Sequence, residues 1–141
     1  MIESVIYADF EGWTGDTIFK LDNGQYWKQV SFAYRYYYAF RPSVRIVLEN
    51  GVYQLHVDGV DDAIAVQLVD VVADTQITND FEGWDGETIF QLANGETWQQ
   101  SAPAVVVSVA VWPNALIYCD VSGFKLRVGR VSSEVQVRRI E

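Results

Sequence analysis

The 141-residue chain has a single cysteine, Cys119, so no disulfide can form within it. A lone thiol fits a reducing compartment. No apolar run approaches the roughly 18 uncharged residues that a membrane-spanning helix needs. The first ten residues lack the basic and apolar regions of a secretory signal. These absences predict a cytoplasmic protein with no membrane partner, or a periplasmic one if a signal has been removed.

Basic residues are also few: 10 Lys and Arg stand against 19 Asp and Glu, which gives a formal net charge of −9. An acidic chain repels phosphate backbones, so binding of nucleic acid would need a local basic patch. The densest basic cluster comprises Lys125, Arg127, Arg130, Arg138 and Arg139, and the first half of the chain has no counterpart to it. The sequence therefore predicts no nucleic-acid partner.

Residues for metal or nucleophilic chemistry are scarce. His56 is the only histidine, so a zinc site would have to consist mainly of carboxylates. No glycine-rich phosphate loop is present. One set of acids recurs, Asp9, Glu11 and Asp16 as Asp80, Glu82 and Glu87. A carboxylate-dependent hydrolase is the catalytic alternative, but solvated acids in a turn explain the pattern better. We expect no metal, no cofactor and no enzymatic activity.

What the chain does have is a stretch that occurs twice. Residues 9–29 and 80–100 align without a gap at an offset of 71, and 14 of the 21 positions are identical. The match continues beyond the stretch, for example from Pro42 to Pro113 and from Val66 to Val137. The sequence therefore predicts two tandem repeats, 1–70 and 71–141, related by internal duplication.

Within each repeat the apolar residues alternate over short runs rich in β-branched and aromatic side chains, and Gly, Pro, Asn or Asp separates the runs. No segment shows a capped helical period. This pattern predicts an all-β protein with five or six short strands per repeat. Such units suggest two small SH3-like or OB-like barrels, which we expect to be related by a pseudo-two-fold axis.

The shared stretch contains a hairpin signal around Asn23-Gly24. A two-residue turn would put Trp27 opposite Lys20, whereas a three-residue loop ending at Gly24 puts Trp27 opposite Phe19. A slip of one residue moves a whole strand to the other face of a sheet. Only the longer loop places Phe19, Leu21 and Trp27 on one face, so we predict the bulged register with Gly24 at positive φ.

The segment after this hairpin differs most between the repeats. Tyr34, Tyr36, Tyr38 and Phe40 fall on one face of a predicted strand, where the second repeat has four valines at 105, 107, 109 and 111. One interpretation makes this a core or inter-repeat face. The other makes it a stacking platform for a ligand or partner, since tyrosine has an apolar body and a polar tip.

Two tryptophans, Trp13 and Trp84, stand at equivalent positions between glycines. They are either lids closing the end of each barrel or exposed rings that stack on a sugar or peptide. With the aromatic strand they complete the set of candidate binding residues.

The repeated residues resemble a small bacterial domain family of uncharacterised function. Its pattern is F-x-G-W-x-G-x-T-x-F-x-L-x-N-G-Q-x-W-x-Q, then Pro, then G-x-Y/F-x-L/M-x-V-x-G, and a closing V-x-R-I. The first repeat supplies Phe10, Gly12, Trp13, Gly15, Thr17, Phe19, Leu21, Asn23, Gly24, Gln25, Trp27, Gln29, Pro42, Gly51, Tyr53, Leu55, Val57 and Gly59. The second supplies the hairpin set from Phe81 to Gln100, then Pro113, Gly123, Phe124, Leu126, Val128, Val137, Arg139 and Ile140. The resemblance implies a small β domain and assigns no activity or site residue.

The sequence thus favours a non-enzymatic interaction or binding module, with a protein partner or a second copy of the chain bound through the aromatic strand. A binder of small ligands or carbohydrates is the alternative. It would use the exposed aromatics Trp13, Trp84, Tyr34, Tyr36, Tyr38 and Phe40.

Overall fold

The computed structural model describes all residues from 1 to 141, and the chain divides into two units, Met1–Val69 and Asp70–Glu141. Every regular element is a β-strand, so the predicted all-β class is confirmed. The predicted ranges, 1–70 and 71–141, place the boundary one residue later than this division. None of the elements is a helix long and apolar enough to cross a membrane.

Fifteen strands follow one another along the chain. They are β1 (Ile2–Val5), β2 (Asp9–Phe10), β3 (Ile18–Lys20), β4 (Tyr26–Gln29), β5 (Ala39–Phe40), β6 (Ser43–Glu49), β7 (Val52–Val57), β8 (Ile64–Gln76), β9 (Phe81–Trp84), β10 (Ile89–Gln91), β11 (Thr97–Gln100), β12 (Val106–Ala110), β13 (Asn114–Asp120), β14 (Gly123–Val128) and β15 (Glu134–Arg139).

In the first unit, one antiparallel sheet has the strand order β3-β4-β8-β7-β6-β1. The part of β8 that belongs to this unit is central, with β4 on one side and β7 on the other. A separate two-stranded sheet pairs β2 with β5. This two-stranded sheet contains Phe40, at the end of the aromatic segment.

In the second unit, the order β10-β11-β15-β14-β13-β8 uses the later residues of β8. The pair β9-β12 forms the separate two-stranded sheet. The pairing of β8 with β13 shifts register between Ile117 and Tyr118. Most of these strands occupy positions 71 residues beyond a strand of the first unit.

The sheets are open, and the closed barrels expected from the sequence are not seen. In the first unit an isolated bridge between Ile6 and Leu21 links the ends of β1 and β3. In the second unit the bridge between Ile77 and Leu92 does the same for β8 and β10. Strands β3 and β10 have only three residues each. A single bridge therefore forms where a closed barrel would need a continuous row of strand hydrogen bonds.

Each unit has its own apolar core, in which aromatic rings pack edge to face or offset. In the first unit Phe10 lies between Trp13 and Phe19, with ring centroids 6.4 and 6.2 Å apart. In the second, Trp84 lies between Phe81 and Phe90, at 6.5 Å from each. The cores therefore use the same repeated positions.

The hairpin has the predicted bulged register. Phe19 pairs with Trp27 in the β3-β4 ladder, and the amide of Leu21 donates to the Gln25 carbonyl at 2.9 Å. Gly24 has φ of 90°, and Asn23 Oδ1 accepts a hydrogen bond from the Gln25 amide. Phe19, Leu21 and Trp27 are all buried, as the choice of register required.

We expect Gly24→Val to destabilise the chain by roughly 1–3 kcal/mol, because a β-branched residue resists positive φ. Urea unfolding followed by tryptophan fluorescence measures the loss. Gly24→Asn is the matched control and should lose much less, since asparagine tolerates this conformation. Equal stability of the valine variant and the wild type would contradict the assigned turn.

Candidate functional site

The segment from Phe32 to Phe40 presents five aromatic side chains to solvent at every second position. Their exposed fractions are 95% for Phe32, 77% for Tyr34, 75% for Tyr36, 54% for Tyr38 and 69% for Phe40. These five residues are called the aromatic ladder below. The predicted alternation is present, but the interpretation of this face as core is wrong, since all five side chains face solvent.

The inner side of the segment is fixed to the first unit by backbone hydrogen bonds. The amide of Trp13 donates to the Arg35 carbonyl at 2.9 Å, and the amide of Arg35 donates back to Trp13 at 3.0 Å. Nearer its end, Ala39 pairs with Phe10 in the β2-β5 sheet. Ala33 and Tyr37 pack against the core, so the alternate residues must face outward.

Glycine makes this close approach possible. Gly12 has φ of 92°, and a Cβ on it would lie only 1.9 Å from the carbonyl oxygen of Arg35. In the second unit a Cβ on Gly83 would lie 1.8 Å from the carbonyl oxygen of Val106. Each glycine precedes a buried tryptophan, so the outer segment of each unit packs directly against the repeated Gly-Trp pair.

A buried glutamine holds the start of the segment. Gln29 is 1% exposed. Its Nε2 donates to the carbonyls of Ser31 and Ala33, both at 2.9 Å, and its Oε1 accepts from the amide of Gly15 at 2.9 Å. One side chain thus satisfies backbone groups from two loops. This positioning role was not predicted, although the identity of Gln29 and Gln100 between the repeats was a signal for it.

The outer edge of the segment has no partner strand. In its two-stranded sheet β5 pairs only with β2. The backbone groups of Tyr34 and Tyr36 make no hydrogen bond within the chain. An exposed apolar edge of this kind can pair with another strand. The ladder therefore combines free side chains with a free backbone edge.

Two carboxylates border the ladder. Asp9 is the register partner of Phe40, and its Oδ1 accepts a hydrogen bond from the Tyr38 hydroxyl at 2.9 Å. This bond and the charge of Asp9 raise the pKa of Tyr38, and Glu11 adds to the shift. Beside them, a cleft of about 450 Å³ is lined by Asp9, Glu11 and Lys20, among other residues.

The second unit builds the same frame with aliphatic side chains. Gln100 Nε2 donates to the carbonyls of Ala102 and Ala104, both at 2.9 Å, and Gly86 donates to Gln100 Oε1 at 2.7 Å. Strand β12 pairs only with β9. On this strand and immediately before and after it lies the exposed valine ladder, Val105, Val107, Val109 and Val111. The backbone arrangement and its glutamine anchor are common to both units, whereas the exposed side chains are aromatic in the first and aliphatic in the second.

Trp13 and Trp84 are each 2% exposed, so the interpretation that made them exposed stacking residues is wrong. Their rings pack against Phe10 and Phe81 in the cores. The flanking glycines explain the mistake, since Gly-Trp-x-Gly suggested an accessible loop while the glycines in fact admit a covering strand. Of the six candidate residues, only the four from Tyr34 to Phe40 remain available to a ligand.

The remaining candidate chemistry is dispersed. No group of three His, Cys, Asp or Glu side chains lies close enough to hold a metal ion. His56 lines a different cleft, of about 610 Å³, together with Glu3, Arg45 and Asp58. Of the first unit's acids considered for hydrolysis, Asp9 and Glu11 lie beside the ladder.

The basic cluster of the second unit is largely compensated by carboxylates. Lys125 lies 3.5 Å from Asp120 and Arg127 Nε lies 3.1 Å from Glu134. Glu134 also accepts a hydrogen bond at 2.5 Å from the hydroxyl of Tyr118, a fully buried residue. Burial, followed by the bond to Glu134, raises the pKa of Tyr118.

Comparison with known proteins adds no assignment: searches of family models, of curated proteins and of solved structures find no match to this chain. The function must therefore be argued from the geometry of the chain itself.

We expect Gln29→Met to destabilise the first unit by about 1–3 kcal/mol, because it leaves buried backbone donors and acceptors without partners. The ladder segment should loosen, so the Arg35 amide should exchange faster with deuterium. Gln54→Met is the control, since the Gln54 side chain makes no hydrogen bond in the chain. Unchanged exchange at Arg35 in the Gln29 variant would contradict the positioning role.

We expect Tyr118→Phe to cost about 1.5–3 kcal/mol at neutral pH, since it removes a hydrogen bond to a charged group. Folding favours neutral Tyr118 because its folded pKa is raised, so its contribution is complete below pH of about 10 and declines as the pH rises further. Urea midpoints between neutral and alkaline pH should therefore fall less steeply above pH of about 10 in the variant than in the wild type. Tyr53→Phe, at a partly exposed tyrosine, should retain the wild-type slope. An identical slope in all three proteins would contradict the account.

Proposed function

We propose that the chain is a non-enzymatic protein-interaction module whose contact surface is the aromatic ladder of the first unit. The observation that carries the proposal is five outward aromatic side chains on a segment with an unpaired outer backbone edge. A partner segment adds as a strand along this edge. Main-chain hydrogen bonds then give affinity, and alternate side chains give specificity.

The size of the surface supports this function. At about 150–250 Å² for each aromatic side chain, the ladder exposes roughly 550–900 Å² of side-chain surface. A specific protein interface buries about 800 Å² on each partner. Tyrosine is also enriched at interfaces, because its ring has few rotatable bonds and its hydroxyl can bond to a partner or to water.

The free backbone edge favours a peptide over a carbohydrate. A sugar stacks on ring faces and makes no use of the unpaired amides and carbonyls at Tyr34 and Tyr36. Burial of Trp13 and Trp84 also removes the two tryptophans on which the carbohydrate alternative relied. A small-ligand binder remains the second candidate, restricted to the ladder.

The fold behind the surface is proposed to be a duplicated SH3-like unit of the bacterial family that the repeated motif resembles. The equivalent glutamine anchors at Gln29 and Gln100 support a duplication. So do the equivalent bridges at Ile6–Leu21 and Ile77–Leu92. In this proposal the two units kept the frame and diverged at the exposed face.

Selection from a random peptide library displayed on phage tests the interaction function without a known partner. The full chain is immobilised, and enriched peptides are synthesised and titrated by fluorescence anisotropy. We expect extended peptides that bind the wild type and lose at least about tenfold in affinity to Tyr34→Ser/Tyr36→Ser, since each buried aromatic anchor contributes strongly.

Val105→Ser/Val107→Ser is the matched control, because it makes the same kind of change on the equivalent exposed positions of the second unit. It should keep the affinity of the wild type, and thermal unfolding should show that both variants are folded. A selection with no enrichment, or peptides that bind both variants alike, would refute the ladder as the contact surface.

A further inference from the structure

The acids beside the aromatic ladder have no cationic partner in the chain. Asp9 and Glu11 are exposed, and neither forms an ion pair with a lysine or arginine. Two nearby cations pair with other carboxylates: Arg35 lies 2.8 Å from Asp62, and Arg41 lies 3.3 Å from Asp22. A third, Lys20, lines the same cleft but lies over the ring of Tyr7. Two carboxylates without a salt bridge therefore border an apolar surface.

The charges and the rings lie on the same face. Asp9 and Phe40 are register partners in the β2-β5 pair, so their side chains project to the same side. Glu11 follows two residues after Asp9, and it lies close enough to Tyr38 for its charge to act on that hydroxyl. Asp9 and Glu11 lie along the inner edge of the segment, so a long cationic side chain that crosses the rings from a strand on the outer edge approaches both carboxylates.

Tyrosine ring faces complement these charges. The face of an aromatic ring carries negative potential and attracts a lysine or arginine side chain. The chain already contains such a contact, with Lys20 Nζ 4.1 Å from the ring centroid of Tyr7. Tyr34 and Tyr36 are mostly exposed, so their faces are open to cations from a partner.

Charge also disfavours a second copy as the occupant. Each chain carries a formal net charge of −9. Edge-to-edge pairing of two ladders would leave Asp9 and Glu11 of each copy without a cation, and two chains of this net charge repel each other. A basic segment would instead gain from the same carboxylates.

We propose that the occupant of the aromatic ladder is an extended basic segment of another protein. It adds as a strand to the free edge at Tyr34 and Tyr36, and its lysine or arginine side chains extend over the tyrosine rings toward Asp9 and Glu11. This inference rests on the proposed interaction function and specifies the chemistry of the partner.

Three synthetic decapeptides test it, each with capped ends and valine at every second position. The intervening residues are lysine in one, serine in the second and glutamate in the third. Fluorescence anisotropy with the full chain should give the lysine peptide at least about tenfold tighter binding than the serine peptide, and the glutamate peptide the weakest. The lysine peptide should also lose affinity as salt rises from about 50 to about 300 mM, because exposed charges are screened.

The charge variant is Asp9→Asn/Glu11→Gln, in which asparagine keeps an acceptor for the Tyr38 hydroxyl. It should lose most of the advantage of the lysine peptide over the serine peptide and keep only the part that the tyrosine rings supply. The matched control, Asp80→Asn/Glu82→Gln, removes the same charges beside the valine ladder and should retain the preference for lysine. Equal binding of the three peptides to the wild type would overturn the basic partner, while the interaction function would stand on the library result.

Two other outcomes would also overturn the proposal. A concentration-dependent dimer in sedimentation velocity that is lost in Tyr34→Ser/Tyr36→Ser would make a second copy the occupant. A lysine preference as large in Asp9→Asn/Glu11→Gln as in the wild type would place the basic peptide at other carboxylates. If the library yields no ladder-dependent peptide and none of the decapeptides binds, the proposed function itself fails.

Discussion

The aromatic ladder depends on one constraint: the segment from Phe32 to Phe40 is attached to the first unit along one side only. The inner side is held by the Trp13–Arg35 backbone pair and by the buried amide of Gln29. Because side chains alternate along an extended backbone, fixing one face inward turns the other outward. The chain therefore exposes aromatic area that a folded protein would ordinarily bury, and a partner that covers it would recover that free energy.

The two units share their buried supporting groups and differ in the side chains that they expose. The glutamine anchor, the Gly-Trp support and the bulged hairpin are present in both, and each of these features concerns buried groups that tolerate little change. The outward side chains make no buried contacts of this kind within their unit. At these positions tyrosine at 34 and 36 corresponds to valine at 105 and 107. Different outward side chains on a similar buried support are what a difference in binding specificity would require.

The sequence predicted the all-β class, the hairpin register and the alternation of the aromatic segment, because each follows from which face is buried. It left open whether the ladder is exposed, since an alternating aromatic run is equally compatible with a core strand. It also left open whether Trp13 and Trp84 are buried, because their burial depends on a covering segment some 20 residues away. Gln29 was missed for the same reason: its partners come from two loops, and no local pattern shows them.

Photochemically induced nuclear polarisation measures the accessibility of tyrosine and tryptophan rings in solution, and it tests the exposure of the ladder most directly. In dilute full-length chain we expect strong polarisation of Tyr34 and Tyr36. Of the five tryptophans, only Trp112, which is 57% exposed, should be polarised. Silent Tyr34 and Tyr36 rings together with a polarised Trp13 or Trp84 would contradict the account, because the ladder would then be buried and its support exposed.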